Sequence, residues 1–143
     1  MKLEFIMRFP NGMPKGTSQM KGEKVCYNKD GSTYIHHYTK QSVGTAATLF
    51  ALQLRKYRPE KPMTGPIKLF VVLYFNVKSP KKLWGKYKTT RPDTDNYIKL
   101  LKDVMTKQKF WTDDAQVADE HVIKRFAEEA SIYISVEEAE EDT

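Results

Sequence analysis

The stretch from Ile67 to Val77, IKLFVVLYFNV, limits the possible folds more than any other part of the chain. It is the most apolar run in the sequence and is rich in β-branched and aromatic residues. Such a run reads as a strand buried on both faces at the middle of a sheet. The remaining elements must therefore supply its neighbours and cover it. Leu3, Phe5, Met7 and Phe9 alternate with Glu4, Ile6 and Arg8, which predicts a first strand over about residues 2–9, stopped by Pro10-Asn11-Gly12. Lys24 to Tyr27 and Thr33 to His37 flank Asn28-Lys29-Asp30-Gly31 and read as a hairpin. From about Lys40 to Tyr57 the apolar residues Val43, Ala46, Ala47, Phe50, Ala51 and Leu54 fall on one helical stripe, and Arg58-Pro59 ends it.

Beyond the central run, Ser79 to Pro92 reads as a long basic loop and Thr94 to about Lys107 as a second helix, with Ile98, Leu101, Val104 and Met105 inward. Gln116 to Phe126 and Ser131 to Val136 read as two last strands. Strands and helices mix without strict alternation. The expected class is α+β, a single compact domain with a mixed β-sheet packed against two main helices. A length of 143 residues fits one domain, taken as residues 1–136, with residues 137–143 an acidic, disordered tail.

Charge narrows the choice of partner. The chain carries +6, but from Glu128 onward it has acidic residues and no Lys or Arg. The preceding residues hold 24 basic against 11 acidic side chains, about +13. A body that basic suits a polyanion, although solubilising surface charge is the plainer alternative. No apolar run approaches the ~20 residues of a bilayer span, and the N-terminus lacks the apolar core of a signal peptide, so a cytoplasmic protein without membrane contact is expected. Cys26 is the only cysteine, which rules out an internal disulfide and a cysteine zinc cluster. It reads as a small core residue. His36 and His37 are adjacent in a strand and point to opposite faces, so they make poor joint ligands.

The stretch that carries chemistry is Arg91-Pro92-Asp93-Thr94-Asp95-Asn96-Tyr97-Ile98-Lys99. Asp93 and Asp95 sit at the mouth of a helix, and carboxylates two apart there can converge on one ion. Lys99 lies one turn after Asp95, and Asp103 one turn after Lys99, giving a polar stripe. Asp113-Asp114 follow the helix, and the economical picture places Asp114 at the start of the next strand, beside Asp93 and Asp95. Three bare carboxylates would repel one another, and a divalent cation removes the repulsion. Hard oxygen donors without His or Cys select Mg²⁺ or Mn²⁺ over zinc.

Lys78, Lys81, Lys82, Lys86, Lys88 and Arg91, interleaved with Trp84 and Tyr87, run into Asp93 with no acidic residue between them. Cations beside aromatics suit phosphate contact and stacking. Plainer readings stand beside these. Either aspartate serves as an N-cap, Lys99 and Asp103 form an exposed pair, Asp113-Asp114 are turn residues, and the loop is simply solvated. One cap, however, explains one aspartate and not four.

On the residues Arg91-Pro92-Asp93-Thr94-Asp95-Asn96, Lys99, Asp103 and Asp113-Asp114-Ala115-Gln116-Val117, followed by the basic Lys124-Arg125, the chain resembles the RusA family of Holliday-junction resolvases. The resemblance covers about a quarter of the chain. It implies a homodimer that binds four-way DNA junctions and cuts two strands symmetrically with Mg²⁺. It assigns metal-ligand roles to Asp93, Asp95 and Asp114, an essential catalytic role to Lys99, and supporting roles to Asn96, Asp103 and Asp113.

Two departures stand out. Thr17-Ser18-Gln19 replaces an arginine-rich segment common in relatives, and Lys107-Gln108-Lys109 replaces an Asn-Gly turn. The expected function is therefore a Mg²⁺-dependent, structure-selective endodeoxyribonuclease with Mn²⁺ able to substitute. Water attacks in line, Lys99 neutralises phosphoryl charge, and Lys82, Trp84, Lys86, Lys88 and Arg91 contact DNA. The alternatives are a non-catalytic nucleic-acid-binding module and a metal-dependent nuclease of broader DNA range.

Overall fold

The computed structural model of the chain describes residues 1–15, 21–39 and 41–140. The expected class holds: a mixed four-stranded sheet carries two helices. Strand β1 spans Lys2–Phe9, β2 Lys21–Tyr27, β3 Thr33–Thr39, helix α1 Gln41–Leu54, β4 Ile67–Asn76, α2 Thr94–Lys107, β5 Val117–Ala127 and β6 Ala130–Glu138. The sheet order is β1-β6-β4-β5. β6 runs antiparallel to both β1 and β4, while β4 and β5 are parallel. A parallel pair needs a crossover, and α2 supplies it.

The apolar run does become a central strand, between β6 and β5. Its burial is nevertheless one-sided over its first half. Ile67, Leu69, Val71 and Leu73 are fully buried under the helices, whereas Lys68 is exposed and Phe70 keeps 38% of its surface in solvent. The reason is that both helices lie on one face of the sheet. On that face Met7, Ile132 and Leu73 align across neighbouring strands, as do Phe5, Ile134 and Val71. α1 adds Ala46, Phe50 and Leu54, and α2 adds Tyr97, Ile98, Leu101, Val104 and Met105. Large side chains removed from water in this way each contribute roughly 1.5–3 kcal/mol. Lys102 on α2 and Glu120 on β5 add an ion pair of 2.9 Å at the edge of the layer.

The hairpin forms as expected, and two other expectations change. The hairpin β2–β3 forms a separate two-stranded sheet, with Val25, Tyr27, Tyr34 and Ile35 exposed. Cys26 lies there, half-exposed opposite Tyr34, and is not a core residue. The last strand runs on through Glu137 and Glu138, whose partners are Lys2 and the start of β4, so the ordered sheet continues two residues into the expected tail. Residues 141–143, Thr17-Ser18-Gln19 and the side chains of His36 and His37 lie outside the described residues. Among the described residues no helix is long and apolar enough to cross a membrane.

The exit of α2 accounts for one sequence departure. Gln108 caps the helix, and Lys109 takes a left-handed backbone with φ 67°. That is the conformation an Asn or Gly adopts more readily at this position. The chain keeps the geometry and places a lysine in it. Phe110 and Trp111, both fully buried, then fasten the turn, and the Trp111 indole N–H donates to Thr106 Oγ1 at 2.7 Å.

Candidate active site

α2 begins where Pro92 delivers the chain to Asp93, the N-cap residue, in extended conformation (φ −71°, ψ 148°). The Asp93 carboxylate makes no capping hydrogen bond. An aspartate in this position ordinarily accepts from a first-turn amide. Here the carboxylate stays exposed, and Asp95 is exposed one residue into the helix. Both stand at the positive end of the helix dipole, which favours negative charge. Lys99 is exposed and Asp103 half-buried, opposite an apolar stripe that also includes Tyr97 and Leu100. The polar stripe expected from spacing is thus present, though Lys99 and Asp103 form no ion pair among the described residues.

The segment entering α2 is held from β5. Lys124 Nζ donates to the carbonyls of Thr90 and Pro92, each at 2.8 Å. On the other side the buried Tyr97 hydroxyl donates to the carbonyl of Pro14 at 3.1 Å. Burial pushes the Tyr97 hydroxyl well above its ordinary pKa, so it remains a donor. These two residues fix the mouth of the helix.

The basic segment before α2 is not a free loop. Gly85 N–H donates to Phe126, Lys88 N–H to Lys124, and Phe126 N–H to Lys86, so residues 84–88 run along the edge of β5. Lys82, Lys86 and Arg91 point to solvent. Trp84 is half-buried, its indole N–H donates to the Val77 carbonyl at 2.8 Å, and Lys81 sits over its ring. These contacts hold the loop in place. Tyr87, 65% exposed with the Arg125 guanidinium 4.3 Å from its ring centre, is the aromatic side chain available for stacking.

Lys88 also differs from the expectation of a surface phosphate grip. Its ammonium turns inward over the rings of Phe75 (5.4 Å) and Phe126 (5.2 Å) and donates to Thr90 Oγ1. Desolvation, and secondarily the charge of Lys124, lower its pKa. It lies in an open cleft of about 920 Å³ between the mouth of α2, the turn after β1 and the end of β4.

Asp113 and Asp114 occupy a short 3₁₀ turn before β5. Asp113 caps that turn by accepting from Ala115 N–H at 2.9 Å. Gln116 closes a capping box by accepting from the Thr112 and Asp113 amides, and its own amide donates to Met63 and Gly65. Asp113 therefore positions its neighbour. Asp114 is half-exposed at the start of β5, as spacing predicts.

It is not beside Asp93 and Asp95. A helix of 14 residues spans about 21 Å. In a parallel crossover the helix starts at the far end of the first strand, and the second strand starts after the helix has returned. Asp93 therefore neighbours Phe75 and Phe126, at the ends of β4 and β5, whereas Asp114 precedes Val117, which pairs with Ile67 at their beginnings. Among the described residues no group of three His, Cys, Asp or Glu side chains is arranged to hold a metal ion. Asp93 and Asp95 offer hard oxygen donors, but among the described residues no third carboxylate joins them.

The elements that carry these residues are those of a known enzyme family. The family model described as Endodeoxyribonuclease RusA matches residues 4–137, nearly the whole sheet and both helices. The chain belongs to the RusA endodeoxyribonuclease family. It is 36% identical over 119 residues to a crossover junction endodeoxyribonuclease rusA of Lactococcus phage r1t, covering 82% of this chain and 83% of that protein. It is also 35% identical over 98 residues to the uncharacterized protein YqaN of Bacillus subtilis (strain 168), covering 62% of this chain and 68% of that one.

Proposed function

We propose that this endodeoxyribonuclease resolves four-way DNA junctions, with Mg²⁺ as its cofactor and a homodimer as its active form. The observation that carries the reading is the Asp93 carboxylate, which stands at an N-cap position without capping. A side chain idle for stability, beside Asp95 and a surface of exposed cations, is available for chemistry.

The separation of Asp114 from Asp93 and Asp95 along α2 supports the dimer. A two-fold axis perpendicular to α2 and close to its midpoint would exchange the two ends of the helix and bring Asp114 of a second copy to Asp93 and Asp95 of the first. The same operation builds a second, identical site. Mg²⁺ held by such a set would lower the pKa of a bound water and offset phosphate charge. Mn²⁺, with the same preference for oxygen donors, substitutes. Lys99, on the face of Asp95, neutralises charge on the phosphoryl oxygens. Lys82, Lys86 and Arg91 hold flanking phosphates, and Tyr87 stacks on an exposed base or sugar. Two sites related by a dyad suit the paired cuts of a junction, on DNA in the cytoplasm.

The test is cleavage of labelled four-way junction, flap and linear duplex, each with Mg²⁺, Mn²⁺ or EDTA. Metal-dependent cutting of the junction well above the other two is expected. A protein that binds the junction with a steep salt dependence but never cuts it is a binding module. One that cuts all three alike is a nuclease of broader range.

A further inference from the structure

The cleft holding Lys88 has a lining that phosphate binding does not explain. Three residues with carboxamide side chains, Asn11, Asn76 and Asn96, line it from the turn after β1, the end of β4 and the first turn of α2. None of these amides is hydrogen-bonded to protein among the described residues. Phe75 and Phe126 form an apolar floor, and the Lys88 ammonium rests above both rings. Asp93 and Arg91 stand at the mouth.

Phosphates are gripped by cations and backbone amides. Free carboxamides, which donate and accept at once, match the mixed edges of nucleobases. The cleft's 920 Å³ lies within the range of about 300–1,000 Å³ typical of small-ligand sites.

We propose that this cleft is a recognition pocket for one nucleobase of the strand to be cut, turned out of the stack next to Asp93. The inference rests on the nuclease reading and adds sequence preference to it. Unstacking costs least where pairing is already interrupted, as at the centre of a branched junction. Lys88 sets the chemical class. An ammonium offers donors only, and adenine presents its N7 acceptor beside an amino donor, so the ammonium favours a base with a carbonyl oxygen. Guanine, cytosine and thymine have one, and adenine does not. Gly12 shapes the wall. Its φ of 97° makes the turn, and a Cβ there would stand 3.5 Å from the Asn76 amide oxygen. The turn thus lies directly against the carboxamide that reads the base.

Two measurements test the pocket. In the first, junctions carry each of the four bases in turn beside the cut, and single-turnover rates are compared. The wild-type protein is expected to cut adenine-bearing sites about tenfold more slowly than the best of the other three. The double variant Asn11→Ala, Asn76→Ala is expected to shrink that contrast to about threefold or less, with thermal unfolding unchanged. An identical contrast in the variant, or none in the wild type, overturns the proposal.

The second measurement places pyrrolocytosine, a fluorescent base that keeps its carbonyl, at the same position in EDTA. A rise in fluorescence on binding, reduced in the double variant, is expected, and an unchanged signal overturns the pocket. If fluorescence rises but no metal supports cutting, the nuclease reading fails and the pocket stands. If the junction is cut with no rise and no base contrast, the pocket alone fails.

Discussion

The two ends of α2 are built on opposite plans. At its start, Asp93 occupies a capping position but makes no capping bond, Asp95 is exposed, and the surroundings are cationic and open. Beyond its end, Asp113 and Gln116 close a full capping box, Trp111 is buried and bonded to Thr106, and Gln116 donates to Met63 and Gly65. One end leaves its two carboxylates unused by the fold. The other uses nearly all of its polar groups, and the free carboxylate there is Asp114. Under the proposed function, the carboxylates left free of the fold are distinct from the groups that hold it, and substitutions of the two kinds should have opposite signatures.

The largest effect is expected at the open end. Asp95→Asn should lower the rate of junction cutting by at least roughly 10²–10³-fold and leave junction affinity within about twofold, measured by single-turnover cleavage and gel shift. Normal cutting by that variant would remove Asp95 from the chemistry. At the closed end, Gln116→Leu strands the Met63 and Gly65 carbonyls and two amides, and should cost about 2 kcal/mol in urea unfolding. A matched pair sharpens the contrast. Asp113→Ala should cost about 1 kcal/mol through its lost cap, while Asp93→Ala should change stability by only a few tenths yet stop cutting. Equal stability losses in the two would mean that Asp93 caps after all. The smallest effect lies at Lys109, where glycine accepts the left-handed backbone without a Cβ penalty. Lys109→Gly should raise stability by about 0.5–1 kcal/mol, read from the same unfolding curves.

This comparison also separates what could be read in the sequence from what could not. Local pattern was sufficient for α2, whose limits, Thr94 and Lys107, coincide with the helical spacing. It was sufficient for β1 and for the central place of β4, because alternation and apolar runs report directly on the sheet. It could not show which face of β4 the helices leave open, since Phe70 is as apolar as its buried neighbours. Nor could it show that the hairpin holding Cys26 leaves the core, because exposed Val25 and Ile35 look like core residues in isolation. Asp114 was placed correctly along the chain and wrongly in space. Its distance from Asp93 depends on the parallel pairing of β4 with β5, a long-range property that no local spacing encodes. The inward turn of Lys88 and the pinning of Trp84 were hidden for the same reason. Both depend on the basic segment pairing with the edge of β5. Asn11 and Asn76 carried no signal at all, as isolated amides beside a turn and a strand end.

The claim that the ends of α2 meet across two copies can be tested by mixing variants. Asp95→Asn and Asp114→Asn proteins, each inactive alone, are refolded together and assayed for nicking of a four-way junction with Mg²⁺. A mixed dimer then has one site with both aspartates intact and one with neither, so nicking of single strands should return. If mixtures that demonstrably exchange subunits stay as inactive as the separate variants, each site is confined to its own chain and the shared-site account is wrong.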